Sequence, residues 1–206
     1  MQLYKLTDAS GNTRGGTHWG PSVTHHARGD ANQPLCTDGW IHAYEHPLLA
    51  VLLNPIHAGY QTPRLWEASG EIGVRDGQIK CGCRSLTTIR EMAVPAMTVE
   101  QHVRFAIACT WPLGKADWRV WALHWLDGAD RTWEAAKAAA AWTAAAEAAA
   151  AAAEERAWAA TVRSSAAWAA RAAAEAGIDL AACAEWAVTS QPITDLYREK
   201  NDDTTL

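Results

Sequence analysis

Runs of lysine or arginine are missing from this 206-residue sequence, and a formal net charge of -5 gives a phosphate backbone nothing to follow. Binding to nucleic acid is therefore not expected. Missing too is an uninterrupted apolar stretch long enough to span a bilayer, and the N-terminal MQLYKLTDASG has neither the basic nor the apolar segment of a secretory leader. The expectation is a cytoplasmic protein with no membrane partner. The five cysteines, an odd number at uneven spacings, do not form a disulfide framework and predict reduced thiols. No phosphate-binding glycine loop, nucleophile elbow or dinucleotide fingerprint is found, and no cofactor is expected.

What is present is unevenly distributed. Six of the eight histidines, at 18, 25, 26, 42, 46 and 57, lie in the first part, whereas nine of the twelve tryptophans lie from Trp111 onward. The two parts must pack by different rules. A chain of this length fits one large domain or two small ones, and the compositional break predicts an α+β module over 1–97, a helical region over 98–190 and a loose polar tail over 191–206.

In the first part, residues 3–7 alternate as a strand, and the glycine, proline and asparagine of 11–38 read as loop. A second strand is predicted over 40–44. Pro47 then opens a short helix over 48–53, which Asn54-Pro55 closes, because a residue before proline avoids helical backbone. Strands over 64–72 and 78–91 are joined through Arg75-Asp76-Gly77, a hairpin signal. Four strands and a short helix make a small mixed core.

In the second part, Thr98 and Gln101 form a capping box for a helix to Cys109, with Val99, Val103, Ala106 and Ile107 as its predicted buried face. Asp117 is expected to cap the next helix, which carries Trp118, Trp121 and Trp125 on one face until Asp127-Gly128. Residues 130–176 lack glycine and proline and are dominated by alanine, which predicts one long helix or a hairpin broken near 161–165. Within it Ala139, Trp142, Ala146, Ala149, Ala153 and Ala160 follow spacings of three, four and seven. Such a small-residue seam calls for a closely packed partner helix, from this chain, a second copy or another protein. Trp133 and Trp158 fall on the outer side, against a second neighbour or at an interface. Gly177 is the expected stop, and Asp179 the cap of a last helix over 180–187.

The densest polar cluster is Gly39-Trp40-Ile41-His42-Ala43-Tyr44-Glu45-His46-Pro47. His42 and His46 have the spacing of a helical metal pair, but Pro47 and the strand pattern keep them off one helix. Cys81-Gly-Cys83 is half a metal clamp with no second half. No metal site is expected. Strand alternation places His42 and Tyr44 on one face and Ile41 and Ala43 on the other. The simplest role for His42 and Tyr44 is to satisfy loop backbone from half-buried positions, with catalysis as the alternative. His18, His25 and His26 are expected to be solvated.

The motifs Gly39-Trp40-Ile41-His42-Ala43, Pro47-Leu48, Arg64-Leu-Trp-Glu67, Gly70-Glu71-Ile72 and Lys80 resemble a family of uncharacterised phage and prophage domains over about residues 2 to 95, with Ile41 an insertion into the pattern. The alanine-rich part is similar to helical proteins labelled as immunity proteins. Neither resemblance brings an established activity; the seam and the surplus tryptophans motivate the expectation of a non-enzymatic, phage-type accessory protein that acts by protein–protein association in the bacterial host, against a host-defence component, with a virion-associated structural role as a further alternative. The rival reading is an enzyme or nucleotide-binding module, because His42, Tyr44 and Glu67 resemble the His-Tyr-Glu sites of ADP-ribosyl transfer. That resemblance implies ribose binding by His42, nicotinamide stacking by Tyr44 and oxocarbenium stabilisation by Glu67.

Overall fold

The fold is that of a computed structural model, which describes residues 1–129, 131 and 155–198, the side chains of 155–159 excepted. It is an α+β protein whose chain divides into two compact units, Met1–Ala96 and Met97–Leu206.

The first unit contains strands β1 (Gln2–Thr7), β2 (Asn12–Thr13), β3 (Thr17–His18), β4 (Val23–His26) and β5 (Ile41–Ala43), helices α1 (Pro47–Leu52) and α2 (Asn54–His57), and the long strands β6 (Arg64–Asp76) and β7 (Lys80–Met92). All ladders are antiparallel, in the order β1-β6-β7-β4, with β5 also on β7. An isolated bridge between Tyr4 and Tyr44 joins β5 back to β1, through backbone hydrogen bonds of 2.8 and 2.9 Å. The strand path β1-β6-β7-β5 thus closes on itself, which removes an exposed edge. Gly77, at a φ of +54°, turns the β6–β7 hairpin where a side chain would be strained.

The core of this unit is Leu3, Trp19, Ala43, Ala68, Cys81, Cys83 and Leu86, with Ile41 and Ile72 packed on it. Small residues on facing strands leave room for Trp19. Gly73 and Gly82 act likewise for Trp40, whose ring and Cβ occupy the space that their side chains would need. Two expectations are corrected here. The stretch 11–38 carries three short strands, because β4 finds its ladder on Ser85–Thr88 of β7, a partner distant in sequence. Asn54-Pro55 does not end helical structure either: proline in the first turn of α2 needs no backbone N–H and simply starts a new helix.

The second unit contains α3 (Val99–Thr110), α4 (Ala116–Leu126), α5 (Glu155–Glu175), α6 (Leu180–Ala187) and α7 (Ile193–Arg198). The Thr98–Gln101 capping box forms with both hydrogen bonds, Asp179 caps α6 through the Ala182 amide, and Gly177 sits at a φ of +73°. Helix α3 packs on α5 and α6. Alanines 166, 169, 170 and 173 are buried on α5, and such small side chains let large residues of α3 approach closely. The face that α3 buries is consequently His102, Arg104, Phe105, Ile107, Ala108 and Cys109, with Val99, Val103 and Ala106 only half-buried. Its polar members are largely satisfied: His102 Nδ1 donates to the Thr98 carbonyl at 2.8 Å, and Arg104 spreads over Trp186 while its Nη2 donates to the Gln191 carbonyl, leaving the buried Nε without a partner among the described residues.

On α4, Trp118 and Trp125 are buried with Ala122 and Ile107, and Trp121 packs against them from a half-buried position. The N-cap is Lys115 rather than Asp117, which falls in the first turn and complements the helix dipole there. Helix α5 runs unbroken through 161–165, its hydroxyl residues accommodated within the helix. The polar tail is corrected as well. Ile193 is buried, and the Tyr197 hydroxyl donates to the Ala108 carbonyl at 2.5 Å, so 193–198 belongs to the helical unit. Among the described residues no helix is long and apolar enough to cross a membrane.

Candidate functional site

A cavity of about 690 Å³ opens in the N-terminal unit, within the size range of small-ligand sites. Its lining is supplied by β1, the β2–β3 turn, β4, the loop before β5, β5 itself and the α2 region.

Lys5 is the deepest charged group. Alternation along β1 puts it on the same face as Leu3 and Thr7, all buried, so an ammonium replaces an apolar side chain where the core ends. Its Nζ donates to the His42 carbonyl at 2.6 Å and lies 5.2 Å from the centroid of Trp19. Burial lowers the Lys5 pKa to about 8, opposed by the neighbouring thiols of Cys83 and Cys81.

His42 projects from β5 and donates from Nε2 to the Leu35 carbonyl. Burial lowers its pKa, the Leu35 carbonyl opposes that, and the ammonium groups of Lys5 and Lys80 lower it further. The imidazole is therefore neutral near pH 7, with two ammonium groups close by. Lys80 Nζ lies 3.1 Å from the Cys36 sulfur at the same wall. Tyr44 lies 3.0 Å, hydroxyl to Nδ1, from His57, and the two rings stack at an interplanar angle of 29° with centroids 5.9 Å apart. Burial pushes the Tyr44 phenol well up, so it remains protonated. Tyr60 completes this side, half-buried, with its phenol raised by burial and held back by Arg14.

The cavity is unbalanced in charge. Lys5, Arg14, Arg28 and Lys80 line it, against the single carboxylate Asp38. None of the four forms an ion pair among the described residues. Elsewhere in the unit Arg64 pairs with Glu91, Arg75 with Glu45 and Arg90 with Glu67, while Arg84 donates to the carbonyls of Gly29 and Gly39.

Of the residues singled out by sequence, His42 and Tyr44 both line this cavity, while Ile41 and Ala43 join the core as strand alternation predicts. Glu67 does not join them. It is opposite Tyr4, which bridges to Tyr44, so it stands two strand spacings, roughly 10 Å, from Tyr44. There it accepts from Arg90 at 2.7 Å and from Gln2. Cys81 and Cys83 are buried in the core, and among the described residues no cluster could hold a metal ion. His25 is not simply solvated: its Nε2 donates to the His18 carbonyl at 2.8 Å and its ring meets Trp19 edge-on. His18 and His26 are exposed.

The seam residues Ala139, Trp142, Ala146, Ala149 and Ala153, together with Trp133, lie outside the described residues, as does the side chain of Trp158. Ala160 is exposed on α5 and Ala167 is buried. Sequence reasoning overlooked Lys5, Arg14, Arg28 and Tyr60, and named Lys80 only as part of a family pattern. Only Lys5 left a legible signal, a cation in the inward register of an alternating strand. Comparison of the chain with protein-family models, with curated proteins and with solved structures gives no significant match.

Proposed function

We propose that the N-terminal unit is a receptor for a small anionic molecule held in this cavity, and that the chain acts by binding. The observation that carries the reading is the pair of enclosed cavity cations without a carboxylate partner, buried Lys5 and half-buried Lys80, joined at the exposed rim by Arg14 and Arg28, whereas Arg64, Arg75 and Arg90 of the same unit each find one. A buried or half-buried cation without a counter-charge is costly, and an anionic ligand removes that cost. The neutral His42 and the protonated Tyr44 supply orientation rather than a nucleophile, and the one carboxylate among the lining residues is Asp38. Thermal unfolding with phosphate- and carboxylate-bearing compounds is the test. Stabilisation that weakens as salt is raised is expected; no shift with any anion at millimolar concentration would overturn the reading.

A second role, association with another protein or a second copy, is favoured for the helical unit by its exposed apolar groups: Trp168 on α5 is 48% exposed, and Val120 and Leu123 on α4 are 53% and 39% exposed. Together the two roles suit a phage-type accessory protein, one unit capturing a small molecule and the other a partner. Sedimentation of wild type and Trp168→Ala checks it, and a strictly monomeric wild type that captures no partner would count against it.

A further inference from the structure

We propose that the anion is the phosphate of a phosphorylated nucleoside, seated between Lys5 and Lys80, with the base lying against the aromatic wall formed by Tyr60 and His57. This rests on the anion-receptor reading above and specifies its ligand.

The phosphate end follows from the arrangement of donors. Lys5 Nζ has three N–H groups and one strong acceptor, the His42 carbonyl, so its remaining donors have only thiols and the Trp19 ring beside them. Lys80 carries a second ammonium whose one contact among the described residues is the Cys36 sulfur. Both ammonium groups line the cavity beside His42, whose one N–H is taken by the Leu35 carbonyl, so the uncommitted donors of this region belong to Lys5 and Lys80. A carboxylate offers two oxygens and one charge, whereas a phosphate monoester offers three terminal oxygens and nearly two charges. The second fits this donor set better. Arg14 and Arg28, on the exposed part of the lining, add charge for a longer phosphate chain.

The ring end follows from size and lining. Inorganic phosphate would leave most of a 690 Å³ cavity unfilled, so the ligand has a body. That body meets aromatic side chains: His57 and Tyr60 both line the cavity with part of their surface open, and buried Tyr44 backs the His57 ring. Flat π-faces of this kind hold nucleobases through stacking without reading their identity. The site should therefore discriminate weakly among bases and strongly against loss of either phosphate or base.

Isothermal titration of the full chain at pH 7 tests this with adenosine and uridine 5′-monophosphates, the matching nucleosides, ribose 5-phosphate and inorganic phosphate. Both nucleotides should bind at least about tenfold more tightly than each of the other ligands, the loss expected when a charge-assisted contact or a stacked base is removed. Lys5→Met should lower nucleotide affinity by at least about tenfold and leave nucleoside affinity unchanged. Lys80→Ala, at the more open end, gives the same reading should Lys5→Met fail to fold. Tyr60→Ala should weaken the nucleotides and not ribose 5-phosphate. Ribose 5-phosphate binding as tightly as the nucleotides would overturn the inference and leave the anion receptor standing. Binding of none of the phosphates would likewise overturn the inference, and failure of carboxylates as well would overturn the anion receptor with it.

Discussion

Lys5 Nζ donates to the His42 carbonyl oxygen at 2.6 Å, so the buried cation of β1 is fixed by the strand that carries the cavity's histidine. The bond orients one N–H and leaves the charge uncompensated. Lys5→Met, which keeps the length and removes the charge, should therefore stabilise the ligand-free protein by about 1–3 kcal/mol while lowering anion affinity by at least about tenfold. Urea unfolding with and without ligand checks both signs. A destabilised variant would show that the Lys5 bond is structural.

The same group sets a pH dependence. The Lys5 pKa falls from 10.5 in the unfolded chain to about 8 in the fold, so between these values the unfolded state holds more protons and stability rises with pH. Anion affinity should fall over the lower part of that window, as the folded Lys5 loses its charge. The ionisable groups around Lys5 are Cys81 and Cys83 of β7 and His42 of β5. Unfolding midpoints and affinities measured from pH 7 to 10 should move in opposite directions, and parallel movement would refute the assignment.

On the acid side, burial depresses the pKa of His42 in one unit and His102 in the other. As pH falls below about 6.5 the unfolded chain takes up protons that the folded chain refuses, and stability is lost. His42→Asn and His102→Asn should each flatten part of the acid limb of the stability curve. An unchanged limb in both variants would contradict the expectation.

Glu67→Gln distinguishes the cavity from a His-Tyr-Glu catalytic site. Its partner Arg90 is largely exposed, so the pair contributes no more than about 1 kcal/mol. Anion affinity should stay within about twofold of wild type, a change under 0.5 kcal/mol. A larger loss of binding, or loss of a catalytic activity shown by wild type, would bring Glu67 back into the site.

In the helical unit burial decides the outcome of otherwise similar substitutions. Trp125→Ala should cost about 3–5 kcal/mol, since Trp125 is 5% exposed in a cluster with Trp118, Ala122 and Ile107. Ala167→Leu should cost about 1–3 kcal/mol through overpacking, whereas Ala160→Leu, on the exposed side of α5, should stay within about 0.5 kcal/mol. Thermal melts at two protein concentrations check these values and reveal association. Equal effects at Ala160 and Ala167 would show that Ala160 is covered by another molecule.

Local chemistry was readable directly from the sequence. The capping box at Thr98–Gln101, the stop at Gly177, the cap at Asp179, the hairpin at Gly77 and the division of β5 into a core face and a His42–Tyr44 face all arise from residues within a few positions of one another. Short-range hydrogen bonds and backbone sterics fix such features before any distant segment arrives. The inward register of Lys5 was legible by the same logic, but not its purpose.

Tertiary structure decided the rest. Whether 11–38 is loop or strand depended on β7 presenting a free ladder to β4, and the buried face of α3 depended on α5 and α6 supplying small side chains. The cavity joins Lys5, Arg28, His42 and Lys80, whose positions span 76 residues of sequence. No local pattern encodes that convergence, because it follows from long-range strand pairing and the Tyr4–Tyr44 bridge that closes the strand path. The same pairing left Glu67 two strand spacings from Tyr44, a separation that residue types in sequence could not reveal.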